Sequence, residues 1–209
     1  KIAMSLDGRT ALANGISQWI TGDAARLDVQ RWRARSCAVL TGINTVLADD
    51  ARLNVREVET ARQPLRVVLD SRLRIPLTAR ILQGGNTLIY AAVRDAEKIA
   101  ALKKSGASVC LLPDSDGLVD LPAMLRDLAH RGCNEVLVEA GSTLNGALLR
   151  AGLADELLLY VAPQLLGDAA RGTAQLGELT SLDQRINLKW RDVRQVGSDL
   201  RITVGVENV

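Results

Sequence analysis

Val138-Glu139-Ala140-Gly141-Ser142-Thr143-Leu144-Asn145-Gly146 is the stretch on which the reading of this chain turns. Residues 135–139 have the apolar character of a buried strand, and residues 143–150 have helical spacing. A small-residue turn joins them, so the stretch is a strand–glycine–helix junction. The unbonded N–H groups and the dipole of a helix start favour an anion there, phosphate above all. Glu139 closes the strand and sets one carboxylate beside that anion position. The junction therefore points to a phosphate-bearing ligand and to an acid that meets it.

Outward from this junction, strand and helix patterns alternate. Residues 2–6 read as a strand, and residues 22–35 as a helix capped by Thr21, with Ala25, Val29 and Trp32 on one face. Strands are expected at 37–41, 65–70, 87–92 and 108–112, and a short helix at 42–48. Asp95 is positioned to cap a helix ending near Gly106. Asp120 and Pro122 open another that Gly132 stops. Beyond residue 154 the pattern changes to a strand at 156–161 and an alternating pair, 188–195 and 200–206, around Gly197-Ser198-Asp199. That pair predicts a C-terminal antiparallel hairpin. The expected class is α/β: a mostly parallel central sheet, helices on both faces, and an antiparallel edge. Residues 175–185 carry no regular pattern and are expected to form a surface loop.

With 209 residues the chain is long enough for one sizeable domain, and its 47% apolar content supports a core. Phe is absent, so that core must come from Leu, Val, Ile and Ala. No apolar run reaches the ~18 residues of a membrane helix, and the first residues do not form a signal peptide. The opening inside a strand pattern, without Met, suggests a piece of a longer polypeptide. A net charge of +2 is too small to argue for nucleic acid. Cys37, Cys110 and Cys133 are odd in number and far apart, which suggests reduced, buried thiols and a cytoplasmic setting. A single histidine, His130, leaves no His/Cys set for zinc, so no metal is expected.

Ligands of open α/β sheets bind at the carboxyl ends of strands. Four such tips are expected along one edge: Asp7-Gly8-Arg9-Thr10, Gly42-Ile43-Asn44-Thr45, Ser71-Arg72, and the opening junction. Two glycine-started helices in one sheet suit a dinucleotide, although neither carries the G-x-G-x-x-G or P-loop pattern. Taken alone, each is more simply a tight turn that needs glycine. Ser71, Arg72 and Arg74 suit a 2′-phosphate, or make an ordinary charged turn before Pro76. Asp49 and Asp50 suit ribose hydroxyls or a metal, or simply face solvent. Trp19 either covers a flat ring or plugs its loop, whereas Trp32 fits the core face of its helix. Without a nucleophile–base pair, hydride transfer with a bound nicotinamide fits better than hydrolysis.

Ser5-Leu6-Asp7-Gly8-Arg9-Thr10-Ala11, Gly15-x-Ser17-Gln18-Trp19-Ile20-Thr21, Thr45-Val46-Leu47-Ala48-Asp49-Asp50, Leu53-x-Val55-Arg56 and Val138-Glu139-Ala140-Gly141 occur in that order. Together they resemble the reductase-domain family of the bacterial bifunctional riboflavin biosynthesis protein RibD, over essentially the whole chain. The resemblance implies a dihydrofolate-reductase-like three-layer fold, one domain over residues 1–209, and a zinc deaminase domain N-terminal to it in the full-length protein. It implies NADPH-dependent reduction of 5-amino-6-(5-phosphoribosylamino)uracil to the ribitylamino compound. By motif, NADPH would contact Ala3, Trp19, Thr45, Asp49, Ser71 and the turn Gly141, Ser142, Thr143, Leu144, Asn145, Gly146 and Ala147. The phosphorylated ribosylaminopyrimidine would contact Ser17, Arg33, Leu53, Arg56 and Glu139, with Arg33 and Arg56 on its phosphate. Glu139, Lys1 and, as a lesser candidate, Asp7 would be the catalytic groups. Ala140, Ala51 and Gln30 depart from the common pattern, where a Gly, a Pro and a His are frequent.

Two other readings compete: a dihydrofolate or pteridine reductase of the same fold, and a non-catalytic NADPH-binding module. The exposed edge of the expected hairpin suits pairing with a second copy, hence a homodimer.

Overall fold

The computed structural model describes residues 1–207. The chain divides into two compact units, Lys1–Val29 with Ala140–Val209, and Gln30–Glu139.

The unit Gln30–Glu139 is built on a five-stranded, all-parallel sheet. Its strands are β3 (Ala38–Gly42), β4 (Leu65–Leu69), β5 (Thr87–Ala91), β6 (Ala107–Leu111) and β7 (Val136–Val138), in the order β6-β5-β4-β3-β7. Strands β3 to β5 are buried along nearly their whole length, on both faces, and are accordingly mostly apolar, with Arg66 of β4 the charged exception. Val39, Val68, Ile89, Leu102 and Leu137 are buried in the resulting core. The helices are α2 (Ile43–Asp49), α3 (Ala96–Lys104) and α4 (Leu121–His130). Asp95 caps α3 by accepting from the Lys98 N–H, and Asp120 caps α4 by accepting from the Ala123 N–H, both as their sequence positions require. Gly106 and Gly132, at φ +82° and +80°, take the left-handed turns that end these helices.

The other unit carries β1 (Ile2–Ser5), β2 (Arg9–Ala11), β8 (Glu156–Ala162), β9 (Arg171–Gly172), β10 (Leu188–Val196) and β11 (Asp199–Val206). A four-stranded sheet runs β1-β8-β11-β10, with β1 parallel to β8 and the hairpin β10–β11 antiparallel, as its alternating polarity foretold. Helix α5 (Ser142–Arg150) belongs to this unit. Helix α1 (Asp23–Arg35) contains the boundary between the units. Inside the first unit, Asp28 accepts from the Tyr160 hydroxyl at 2.7 Å and from Arg201 at 2.9 Å, which neutralises a buried carboxylate.

The α/β class stands, with a central parallel sheet and antiparallel strands. Three details differ from the sequence reading. Strand β1 pairs with β8 and not with the parallel strands, so the four expected tips do not share one sheet. Strands β2 and β9, of three and two residues, are too short for periodicity to reveal. The three cysteines are free but half-buried, not fully buried.

Candidate active site

In the parallel-sheet unit the chain runs outward from β3 to β6 and then returns to the far side of β3 as β7. The order therefore reverses between β3 and β7, and the crevice at such a reversal is where open α/β sheets bind ligands. Glu139 stands there, immediately after β7, with its N–H bonded to the Leu40 carbonyl of β3 at 2.8 Å. The carboxylate is gripped by Arg33 from α1 through two hydrogen bonds, Nε to Oε1 at 2.5 Å and Nη2 to Oε2 at 3.0 Å. Both side chains are largely buried, at 12% and 9% exposure. Burial opposes the Arg33 charge, but the Glu139 carboxylate outweighs it and raises the guanidinium above its ordinary pKa. The pair is a fixed, neutralised bidentate clamp.

Arg33 also donates Nη1 to the Asn54 carbonyl at 3.2 Å, which ties α1 to the loop after α2. That loop is fastened along its length. Asp50 accepts from the Arg80 N–H at 2.9 Å. Gln63 brackets Val55, accepting its N–H at 2.8 Å and donating to its carbonyl at 3.1 Å, as a neighbouring strand would. Gln30 accepts the Arg56 N–H at 3.0 Å. Leu53 is buried in the core and holds a left-handed φ of +53°. Such a backbone costs on the order of 1–2 kcal/mol for a residue with a Cβ, and burying the leucine side chain offsets it with about 1.5–3 kcal/mol. The loop thus presents the Arg56 side chain outward. Burial and then the nearby Arg33 charge lower the Arg56 guanidinium from its ordinary pKa, with Arg52 and Arg80 acting the same way against Glu57. Three arginines thus act on Arg56 in the same direction, and a surface with such an excess of positive charge favours an anion.

Thr45 lies in the first turn of α2, which starts from Gly42 without a side-chain cap, and Asp49 ends that helix, exposed. Ser71, at the end of β4, accepts the Val119 N–H at 3.1 Å through its hydroxyl. The preceding Asp70 is buried and accepts the Ile75 N–H at 2.8 Å, so it shapes the turn and is not presented to a ribose. Arg74 donates to Asn44 at 3.0 Å.

In the other unit, α5 begins at Gly141 (φ −80°) with no side-chain cap, so its first N–H groups have no intrahelical acceptor. A Cβ at Gly141 would meet nothing within 4 Å, which leaves open space over the helix start. Gly146 differs: a Cβ there would collide with the Gln175 backbone, so this glycine exists for packing. Asn145 is buried and pins the turn by donating to the carbonyls of Ala140 at 3.3 Å and Thr173 at 3.0 Å. Ser142 accepts the Gln175 N–H at 2.9 Å. Thr143 is exposed, and Leu144 and Ala147 are half-buried. Ala3, in β1, and Ser17 are half-buried. Trp19 is 68% exposed, its ring stacked under the Arg26 guanidinium at 4.6 Å. Asp7 accepts from the Ser5 hydroxyl and from the N–H groups of Leu166 and Gly167, at 3.1 and 2.8 Å. These bonds, the Ser5 hydroxyl first, hold it below the usual carboxylate range, so it sits as a bound anion and not as a proton donor. Lys1 is half-buried and precedes β1.

Sequence reasoning named Glu139, Arg33 and Arg56 but not the clamp between the first two. It passed over Gln63, and noted Gln30 only as a departure. Among the described residues no group of three or more His, Cys, Asp or Glu could hold a metal, and no helix is long and apolar enough to cross a membrane.

A parallel sheet with a clamped carboxylate at its reversal point, and a separate uncapped helix start with open space over its glycine, define the class: an α/β protein with the geometry of a ligand-binding sheet. The chain belongs to the RibD C-terminal domain family, whose model matches residues 1–202. It is 42% identical to the riboflavin biosynthesis protein RibD of Escherichia coli K12, over 96% of this chain and 57% of that protein. The chain thus spans little more than half of that relative's length. It is 30% identical to the 5-amino-6-(5-phosphoribosylamino)uracil reductase of Buchnera aphidicola subsp. Acyrthosiphon pisum, over 95% of this chain and 100% of that one. Among solved structures, Acinetobacter baumannii RibD (form 1) superposes with a TM-score of 0.88 at 41% identity, over 99% of this chain and 57% of that one.

Proposed function

We propose that this chain reduces 5-amino-6-(5-phosphoribosylamino)uracil to its ribitylamino counterpart, using NADPH, as a step of riboflavin biosynthesis. The reading is carried by the clamped Glu139 at the reversal point of the sheet, in a chain that covers the full length of a relative named for this activity. The residues present fit a dinucleotide phosphate: the start of α5 offers unbonded N–H groups, and open space lies over Gly141. Gly141, Ser142, Thr143 and Leu144 would hold the pyrophosphate, with Asn145 fixing the turn and Gly146 and Ala147 continuing the helix. Thr45, Asp49, Ser71, Ala3 and Trp19 would hold the rest of NADPH. When bound, the cofactor supplies the hydride that reduces the sugar carbon.

The protein's own residues do the positioning. Arg33 donates two hydrogen bonds to the Glu139 carboxylate, one to each oxygen, and the remaining lone pairs of Glu139 serve as acceptors for ribose hydroxyls. Arg33 uses three of its five N–H donors on Glu139 and Asn54. The other two, with Arg56, hold the substrate phosphate. Leu53 and Ser17 complete the substrate contacts, and Lys1 is the group proposed to manage protons. In the full-length protein an N-terminal zinc deaminase domain would supply the deaminated pyrimidine, and two copies would associate through the β10 edge.

The test is spectrophotometric: loss of NADPH with freshly prepared deaminated substrate, and with dihydrofolate. Turnover of the first and none of the second is expected. Turnover of dihydrofolate alone would favour the folate-type reading. Tight NADPH binding without turnover of either would favour a binding module.

A further inference from the structure

We propose that Arg52 is a further ligand of the substrate's phosphate, acting beside Arg56 on the loop that follows α2. The proposal rests on the phosphosugar reading above and adds to it a residue which that reading does not use.

Most arginines of this protein have found acceptors. Arg131 meets Asp127, Arg191 meets Glu156, Arg194 meets Asp192, and Arg201 meets Asp28 and Asp192. Arg33 is committed to Glu139 and Asn54. Arg72, Arg80, Arg94 and Arg126 have no side-chain acceptor among the described residues, and Arg52 and Arg56 share that state while lying four residues apart on one loop. Among the described residues neither guanidinium donates a hydrogen bond nor forms an ion pair within 4 Å, although both lie on one well-fastened loop. An exposed arginine without a partner is ordinarily just solvated. That account suits Arg56, which is exposed, but not Arg52. The Arg52 side chain is only partly open, and its Nε is buried with no acceptor. Among the described residues no protein group accepts from this Nε, and the two terminal nitrogens of the half-buried guanidinium, which have no partner either, are the donors left for a ligand.

The loop is not slack enough to relieve it. Gln63 and Gln30 fasten Val55 and Arg56, Asp50 fastens Arg80, and Leu53 is anchored in the core. The backbone therefore holds like charges together that would otherwise move apart, which is the mark of a preorganised anion site. A phosphate oxygen is the acceptor that this geometry lacks, since a guanidinium fork matches it bidentately. Two residues on, the Asn54 side-chain oxygen is likewise buried without a partner.

The test uses the purified chain with ribose 5-phosphate, inorganic phosphate and ribose as calorimetric probes, and the pyrimidine substrate in steady state. Arg52→Ala is expected to weaken ribose 5-phosphate binding and to raise the substrate KM by about tenfold or more, the usual loss for one charge-assisted contact. The KM for NADPH and kcat should stay near wild type. Arg52→Lys, which keeps the charge but not the fork, should recover only part of the loss. Arg194→Ala, paired with Asp192 in the other unit, should change none of these. Unchanged ribose 5-phosphate affinity in a folded Arg52→Ala protein overturns the proposal. So does a rise confined to the NADPH KM, which would assign Arg52 to the cofactor. If the wild type binds ribose 5-phosphate and loses it with Arg52→Ala but does not reduce the pyrimidine, the anion site stands and the enzymatic reading fails.

Discussion

The start of α5 and the loop at residues 50–56 both suit anions, by different physics. The first uses backbone: an uncapped helix start with open space over Gly141. The second uses side chains: guanidinium groups without acceptors, held by a backbone that two glutamines fasten. A backbone site needs only a glycine between a strand and a helix, which one sequence displays. A side-chain site needs cations that remain unpaired after folding. Which of 21 arginines those are depends on the tertiary partners of all the others.

The largest expected effect lies at Glu139, which belongs to neither anion site but orients one side of the second through Arg33. Glu139→Gln should lower kcat by roughly 100-fold through misplacement of the ribose while leaving NADPH affinity unchanged. Removing one partner of a buried pair should also destabilise the fold by up to about 3–5 kcal/mol, measurable by denaturant unfolding. Full turnover in this variant would detach Glu139 from the reaction.

Two glycines in α5 and its cap separate packing from binding. Gly146→Ala forces a Cβ into the Gln175 backbone and should cost about 1–3 kcal/mol of stability. Gly141→Ala enters open space at an ordinary φ of −80° and should leave stability within about 0.5 kcal/mol of wild type. Its effect should fall on NADPH affinity. If Gly141→Ala binds NADPH as wild type does, the α5 start is not the pyrophosphate site, and the side-chain loop becomes the stronger anion site of the two.

The smallest effect is a control far along the parallel sheet. Tyr90 donates to Asp127 at 2.6 Å, and Arg131 donates to the same carboxylate at 2.7 Å. The Arg131 bond, with Tyr90, holds Asp127 below its ordinary range. Burial, then the Asp127 bond, pushes the Tyr90 phenol well above its own. Asp127's contribution is therefore complete above its unfolded pKa of about 3.9 and is lost as pH falls through the lower folded value. Tyr90's is complete below its unfolded pKa of about 10 and is lost as pH rises through the higher folded value. Between those limits Asp127→Asn should cost about 1–2 kcal/mol, with no change in the KM of either ligand. A shift in substrate KM would mean that the loop's geometry is not set locally.

Much of the fold was legible. Strands β3, β4 and β5 announce themselves as mostly apolar runs, Arg66 apart, and the caps Asp95 and Asp120 stand where the helices begin. Period two identifies a strand but not its partner, so the pairing of β1 with β8 was not visible. The site was legible as a list of residues and not as an arrangement. Arg33 and Glu139 are separated by 106 positions, and nothing local says that they meet. Gln63 looks like any polar loop residue until its amide is seen bracketing Val55.

The most direct measurement compares the phosphorylated pyrimidine with its dephosphorylated form, by NADPH oxidation in the wild type and in Arg56→Ala. The wild type is expected to turn over the phosphorylated form at a KM at least about tenfold lower, and Arg56→Ala to close most of this gap without a matching change in kcat. Equal KM values for the two forms in the wild type would contradict that expectation.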